Sequence, residues 1–351
     1  MSDQNLSPVR GRRVVQWATG NIGLRALRHV IEHPGLDLVG VRVYDPEKVG
    51  TDAGELCGLA SVGVEAVGDD DAVVALRPDC VLYMPREADA SALCRLLEAG
   101  INVVSTCGTI HHPPSMDPGL RSRLEEACER GGATIHATGS SPGFITEAVP
   151  LVLASIQRRL DHLTIDEFAN LSQRPSPDLL FGQMGFGRPL AEMDPRRFTH
   201  GRESFGPSLR LVADALSIPL DDLVAGGEMA VAARTVDIAA GTIEAGKVAA
   251  QRITVGGMRN GREVLTFRAT WYCTEDIEPS WPLMSTGWRV SVEGDAPLEV
   301  DLRFPVTLSQ MASVTPGYTA NRAVNAVPMV CDAAPGIRTT LDLPPIVPVL
   351  S

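Results

Sequence analysis

Thr19-Gly20-Asn21-Ile22-Gly23 places two glycines three residues apart, directly after the short apolar run Arg13–Ala18. A turn of this kind lets the backbone approach a pyrophosphate and sets the anion at the start of a helix. Gly20 and Gly23 take the second and third positions of the G-x-G-x-x-G fingerprint, and Ala18 stands in the first. The fingerprint expects an acid about 20 residues further on to hold the adenosine ribose. Asp45 fits that place, with Arg42 and Lys48 beside it able to meet a 2′-phosphate instead. All three could equally be solvated loop charges, so these residues leave NAD versus NADP open.

Met84 and Thr106-Cys107-Gly108 end two later strand-like runs and are further candidate contacts for a dinucleotide. His111 and His112 follow directly. Histidine titrates near neutrality and suits the proton transfer that accompanies hydride chemistry; the plain alternative is local bonding in a Pro-rich loop. Glu167 and Asn170 sit on one strand-like segment and could bind an amine or another polar head group, or simply face solvent. Phe181, Met184 and Trp271 could line an apolar substrate pocket, or belong to the core. Hydride transfer requires no metal, and no metal site is expected.

These residues need elements to hold them. Arg13–Ala18, Leu36–Val43, Cys80–Met84, Ile101–Ser105 and Ala133–Ala137 read as buried strands. Helical periodicity falls between them: Ile22, Ala26, Val30 and Ile31 share one face, and Ala88–Ala99 and Leu120–Arg130 are amphipathic. Ser141 is expected to cap a further helix, with Pro142 in its first turn. Alternation at this pitch means βαβ units and a parallel, doubly wound sheet. From about Leu160 the pattern changes to mostly consecutive strands, at 162–170, 228–236, 247–255, 262–274, 288–293 and 298–304, with 256–261 as a loop. That implies a mixed, mainly antiparallel sheet. Pro175–Pro207 reads as one long irregular loop, and Tyr318–Cys331 as a helix before a Pro-rich tail. The expected fold is α/β: a lead-in without structure (1–12), a Rossmann domain (13–150), an α+β substrate and dimerisation domain (151–315), and a C-terminal segment (316–351) returning to the first domain. A cleft between the domains would take a small molecule.

Composition narrows the function classes. The 351 residues carry a net charge of −12, with 44% hydrophobic and 21% charged residues. No Lys/Arg cluster supplies the basic face that nucleic acid requires, and no apolar run reaches the ~20 residues of a membrane span. A cytoplasmic protein is expected. Seven scattered cysteines without a CxxC pair argue against a disulfide framework or structural zinc.

Several segments resemble a known family. Gly50-Thr51-Asp52-Ala53-Gly54-Glu55-Leu56 is similar to the G-x-D-x-G-E-L segment of dihydrodipicolinate reductases. VVQWATGNIG (14–23), VGVRVYDPEKVGTDAGELCG (39–58), Ser141-Pro142-Gly143-Phe144 and RAVNAVPMVCDAAPGI (322–337) resemble the 2,4-diaminopentanoate dehydrogenase and native amine dehydrogenase branch of that superfamily. The resemblance runs over nearly the whole chain. It implies a homodimeric, NAD(P)H-dependent oxidoreductase acting on C=N or C=O bonds. The reductase's E-L-H-H-x-x-K-x-D-A-P-S-G segment is absent, so dihydrodipicolinate reduction itself is not expected. Family amine dehydrogenases also place a carboxylate just past strand five. Here that segment is Ser105-Thr106-Cys107-Gly108-Thr109-Ile110-His111-His112, without an acid, so amine chemistry would need Glu167 or a histidine instead. The competing expectations are an acylating aldehyde dehydrogenase using Cys107 as thiolate and a non-catalytic nucleotide-binding protein.

Overall fold

The computed structural model describes residues 11–350 except 195–197 and 199. The expected lead-in therefore lies outside the described residues up to residue 10, and Arg12 already belongs to a strand. The chain runs β1 (Arg12–Trp17), α1 (Asn21–Glu32), β2 (Leu36–Arg42), α2 (Ala53–Leu56), β3 (Ala66–Val67), α3 (Asp70–Ala75), β4 (Cys80–Tyr83), α4 (Ala90–Glu98), β5 (Asn102–Ser105), α5 (Pro118–Gly131) and β6 (Thr134–Ala137). It continues through α6 (Val149–Ala154), β7 (Leu160–Asn170), α7 (His200–Ala215), β8 (Asp222–Ala232), β9 (Val236–Ile238), β10 (Gly241–Ile243), β11 (Val248–Arg259), β12 (Arg262–Tyr272), β13 (Ile277–Glu278), β14 (Gly287–Gly294), β15 (Leu298–Arg303), α8 (Leu308–Cys331) and β16 (Gly336–Arg338). Two compact units result. One joins Met1–Phe144 with Thr315–Ser351; the other is Ile145–Val314.

The first unit is a parallel sheet ordered β16-β6-β5-β4-β1-β2-β3. Its strands are apolar on both faces, as helices on both sides require. Val15, Val81, Val103 and Ile135 pack with Leu93, Leu96 and Leu97 of α4 and Leu124 and Ala127 of α5. Val14, Leu82 and Val104 pack with Ala26 and Val30 of α1 and with Ala323, Val324 and Val327 of α8. β16 pairs in parallel with β6, Ile337 opposite Ile135. No helix among the described residues is long and apolar enough to cross a membrane.

The second unit is a seven-stranded sheet ordered β13-β8-β11-β12-β7-β14-β15. Its neighbours are antiparallel except β12 and β7, which pair in parallel with Ala269 opposite Glu167. The expected loop over 256–261 contracts to Asn260-Gly261, because β11 continues to Arg259 and both turn residues take positive φ (51° and 72°). This is the two-residue hairpin chemistry of Asn-Gly. α7 lies against the sheet at short range. A Cβ on Gly201 would stand 2.6 Å from Ile253, one on Gly206 2.8 Å from Leu223, and Phe205 stacks on Phe267 at 4.2 Å. The long loop expected over 175–207 is thus interrupted by helical turns at Asp178–Met184 and Leu190–Glu192, and it ends where α7 begins.

Candidate functional site

The site of the first unit grows from the C-terminal ends of its central strands. β1 ends in Ala18, whose φ is +75°. A left-handed alanine costs roughly 1–2 kcal/mol, which is why the fingerprint prefers glycine here. The turn is held by the buried Gln16, whose Nε2 donates to the Ala18 carbonyl at 2.9 Å, and by the Ala18 amide, which donates to the Arg42 carbonyl at 2.9 Å. The two glycines then divide their tasks. A Cβ on Gly23 would meet the Ala18 carbonyl oxygen at 2.1 Å, so Gly23 allows helix and strand to pack. A Cβ on Gly20 would meet nothing within 4 Å. Gly20 is the N-cap of α1, makes no side-chain cap, and leaves a first turn without acids. Open space in front of uncapped helical N–H groups is what a pyrophosphate needs. Asn21 is exposed there, with its side chain turned back to Arg25, and Ile22 packs with the core beneath α1.

Met84 follows β4, nearly buried, its amide donating to the Trp17 carbonyl at 3.0 Å. Thr106, Cys107 and Gly108 follow β5 at the same edge of the sheet, since β5, β4 and β1 are parallel neighbours. Asp45 caps a helical turn over Pro46–Lys48 by accepting the Glu47 amide at 3.0 Å. Lys48 reaches Thr19, its Nζ standing 3.4 Å from both the carbonyl and the hydroxyl oxygen.

His111 and His112 are buried rather than presented. His111 Nδ1 lies 3.2 Å from the Ala137 carbonyl, and His112 Nδ1 2.7 Å from the Ser115 hydroxyl. Cys107 is also buried: its thiol donates to the Pro85 carbonyl at 3.2 Å, and burial pushes its pKa up. A nucleophilic cysteine needs the opposite shift. The Cys107 thiolate of the acylating alternative is therefore disfavoured, and Cys107→Ser is expected to leave steady-state turnover within roughly twofold of wild type. The expected helix cap at Ser141 does not form. Ser141 (φ −153°) and Pro142 are extended, and Gly143 turns at φ +126° where a Cβ would press on Thr138.

The second unit brings together residues that the chain keeps far apart. β7 places Glu167 opposite Ala269 on β12 and opposite Trp288 on β14. Its carboxylate is held between two indoles: Trp271 Nε1 donates to one oxygen at 3.3 Å and Trp288 Nε1 to the other at 3.2 Å. Burial raises the Glu167 pKa above the ordinary carboxylate value, and the two indole donors oppose that shift. Each oxygen keeps a lone pair for a third partner. Trp271 also lines a cavity of about 320 Å³ whose walls include Met184, Phe198, Phe205, Gln251 and Ile253. Gln251 is fixed there by donating to the Met184 carbonyl at 2.6 Å.

Asn170 does not join this cluster. Its amide donates to the Thr286 hydroxyl, and its side-chain oxygen accepts from the Ser172 amide. Phe181 packs into a neighbouring apolar cluster with Tyr272 and Ile243 instead of lining the cavity. Trp288, Gln251, Phe198 and Phe205 were not singled out from sequence. The signal for Trp288 was the alternation of β14, and it becomes useful only with the register in hand. Among the described residues, no group of three or more His, Cys, Asp or Glu is placed to hold a metal ion.

Comparison with known proteins agrees with this architecture. The 2,4-diaminopentanoate dehydrogenase C-terminal domain family matches residues 197–350. An amine dehydrogenase of Streptomyces virginiae is 30% identical over 345 residues, covering 94% of this chain and 95% of that protein. A 2,4-diaminopentanoate dehydrogenase of Acetoanaerobium sticklandii is 21% identical, covering 95% of this chain and 93% of its own length. The solved amine dehydrogenase of Mycobacterium smegmatis shares the fold, with a TM-score of 0.73 at 21% identity over 96% of this chain and 97% of that one. The chain belongs to the amine dehydrogenase family of nicotinamide-dependent oxidoreductases.

Proposed function

We propose that this enzyme interconverts a small apolar ketone or aldehyde and the corresponding primary amine, with Glu167 handling the nitrogen. The observation that carries the reading is the Glu167 carboxylate held between the Trp271 and Trp288 indoles. A carboxylate fixed in this way, with a lone pair left on each oxygen, attracts an ammonium ion or a protonated imine. Its raised pKa suits proton exchange nearer neutrality than an exposed glutamate allows.

The net reaction is carbonyl, ammonia, reduced cofactor and one proton giving amine, oxidised cofactor and water. The bound nicotinamide supplies the hydride. The open N-terminus of α1 would hold the pyrophosphate, with Gly20 giving it room. The protein's own task is then to take protons from nitrogen and return one to the departing water, and in this reading Glu167 carries it. The apolar cavity beside Trp271 would take the substrate's hydrocarbon part.

The test is cofactor oxidation with small ketones and aldehydes, with and without ammonia. Turnover is expected only with ammonia present. Equal rates without it would make the protein a plain carbonyl reductase and overturn the reading. Assembly as a homodimer, implied by the family resemblance, belongs to the same reading; a monomer in sedimentation would remove it.

A further inference from the structure

The corner where β2 leaves the sheet bears on which nucleotide the enzyme takes. The register of β1 and β2 sets Arg42 beside Trp17, one residue before the strained turn at Ala18. The Arg42 side chain is fixed on several sides. Its Nε donates to Asp70 at 2.9 Å and its Nη1 to the Val43 carbonyl at 2.6 Å. Its guanidinium carbon lies 4.0 Å from the centre of the Tyr44 ring and 5.5 Å from that of Trp17. The Tyr44 ring is itself anchored, its hydroxyl accepting the Trp17 indole N–H at 3.0 Å. The second terminal nitrogen of Arg42 makes no hydrogen bond to a described residue. Lys48 is half-buried with its Nζ at the Thr19 end of the glycine turn, and it makes no ion pair among the described residues.

An unmodified ribose diol is recognised by a carboxylate that accepts its hydroxyl protons; a 2′-phosphate is recognised by donors that carry positive charge. Arginine and lysine can only donate. The one acid of this corner placed as the fingerprint expects, Asp45, caps the Pro46–Lys48 turn through the Glu47 amide and has a second oxygen left for a ribose hydroxyl, but two cationic side chains, Arg42 and Lys48, flank it in sequence. We propose that Arg42 and Lys48 form a receptor for the 2′-phosphate of the adenosine ribose, so that the enzyme prefers NADPH to NADH. The proposal rests on nicotinamide-dinucleotide binding at the glycine turn and is independent of the substrate.

Calorimetric titration of the full-length protein tests it without any turnover. NADPH is expected to bind at least about tenfold more tightly than NADH, as one charge-assisted contact implies. The fragment 2′,5′-ADP should likewise outbind 5′-ADP. Lys48→Ala should weaken NADPH about tenfold and NADH less than twofold; Arg42→Ala should do the same. Arg42 is packed between rings and its variant can lose the fold, whereas Lys48 lies on a surface turn, so Lys48→Ala decides the matter. NADH binding as tightly as NADPH would overturn the proposal alone. So would a Lys48→Ala loss shared equally by both nucleotides, because the ammonium would then serve the pyrophosphate. Binding of neither nucleotide would remove this proposal together with the assignment of the turn.

Discussion

Glu167→Gln is expected to lower kcat/KM for reductive amination by on the order of 10²- to 10³-fold, the usual worth of a positioned acid or base. The amide keeps the volume and can still accept the indole N–H of Trp271 or Trp288. It carries no charge to attract ammonium and exchanges no proton, so the loss should fall on the amine chemistry and leave nucleotide affinity unchanged. The pH profile separates this from a structural effect. With the ionised carboxylate as the active form, as proposed, activity is expected to fall as pH drops through its pKa, and burial is expected to move that limb above the ordinary glutamate range. In the glutamine variant the limb should vanish.

Stability gives an independent check with a definite sign. A pKa raised on folding means that the native state keeps a proton the unfolded chain has already released. Glu167 therefore erodes stability as pH rises from the unfolded pKa through the higher folded one. Glu167→Gln should melt no lower than wild type at neutral pH. A variant that melts much lower, and loses activity in proportion, would make Glu167 a structural residue and refute the assignment.

Gly20→Val should abolish measurable nucleotide binding, a loss of at least about 100-fold, in a protein that still folds. The separation is possible because a Cβ at Gly20 meets no protein atom within 4 Å. The added isopropyl group projects into the space in front of α1, where the phosphates must approach. Gly23→Val is the contrasting variant, because its Cβ collides with the Ala18 carbonyl oxygen, and the fold itself should suffer. Circular dichroism with nucleotide titration distinguishes the two. Native melting and unaltered affinity in Gly20→Val would place the cofactor elsewhere.

The first unit was legible because its information is local. Each strand of the parallel sheet is a short apolar run, each helix shows its own periodicity, and the glycine turn lies between β1 and α1 in sequence as in space. The cost of Ala18 in place of glycine was visible as a departure, but its remedy was not: Gln16 reads as one more strand residue until its side chain is seen under the turn. α7 was missed for a physical reason. Gly201, Gly206 and Pro207 all disfavour a helix, yet the two glycines are what let it press against β8 and β11. Tertiary packing there outweighs propensity. α8 similarly begins ten residues earlier than its pattern suggested, at Leu308 instead of Tyr318, running through Pro316. The candidate site of the second unit was half legible. Glu167 and Trp271 were named individually, but their meeting depends on the parallel pairing of β7 with β12, which no local pattern encodes.

That pairing also bears on how the second unit is assembled. Glu167 and Trp271 are separated by 104 residues, and Glu167 and Trp288 by 121. Hairpins such as β11–β12 close over two residues and can form early, whereas joining β7 to β12 must wait for a long loop to be brought together. The carboxylate clasp is therefore expected to form after the hairpins that flank it. With Trp17 and Trp281 replaced by phenylalanine, indole emission would come from Trp271 and Trp288 alone and is expected to change only when β7 joins β12 and β14, the step that gives a nitrogen its place.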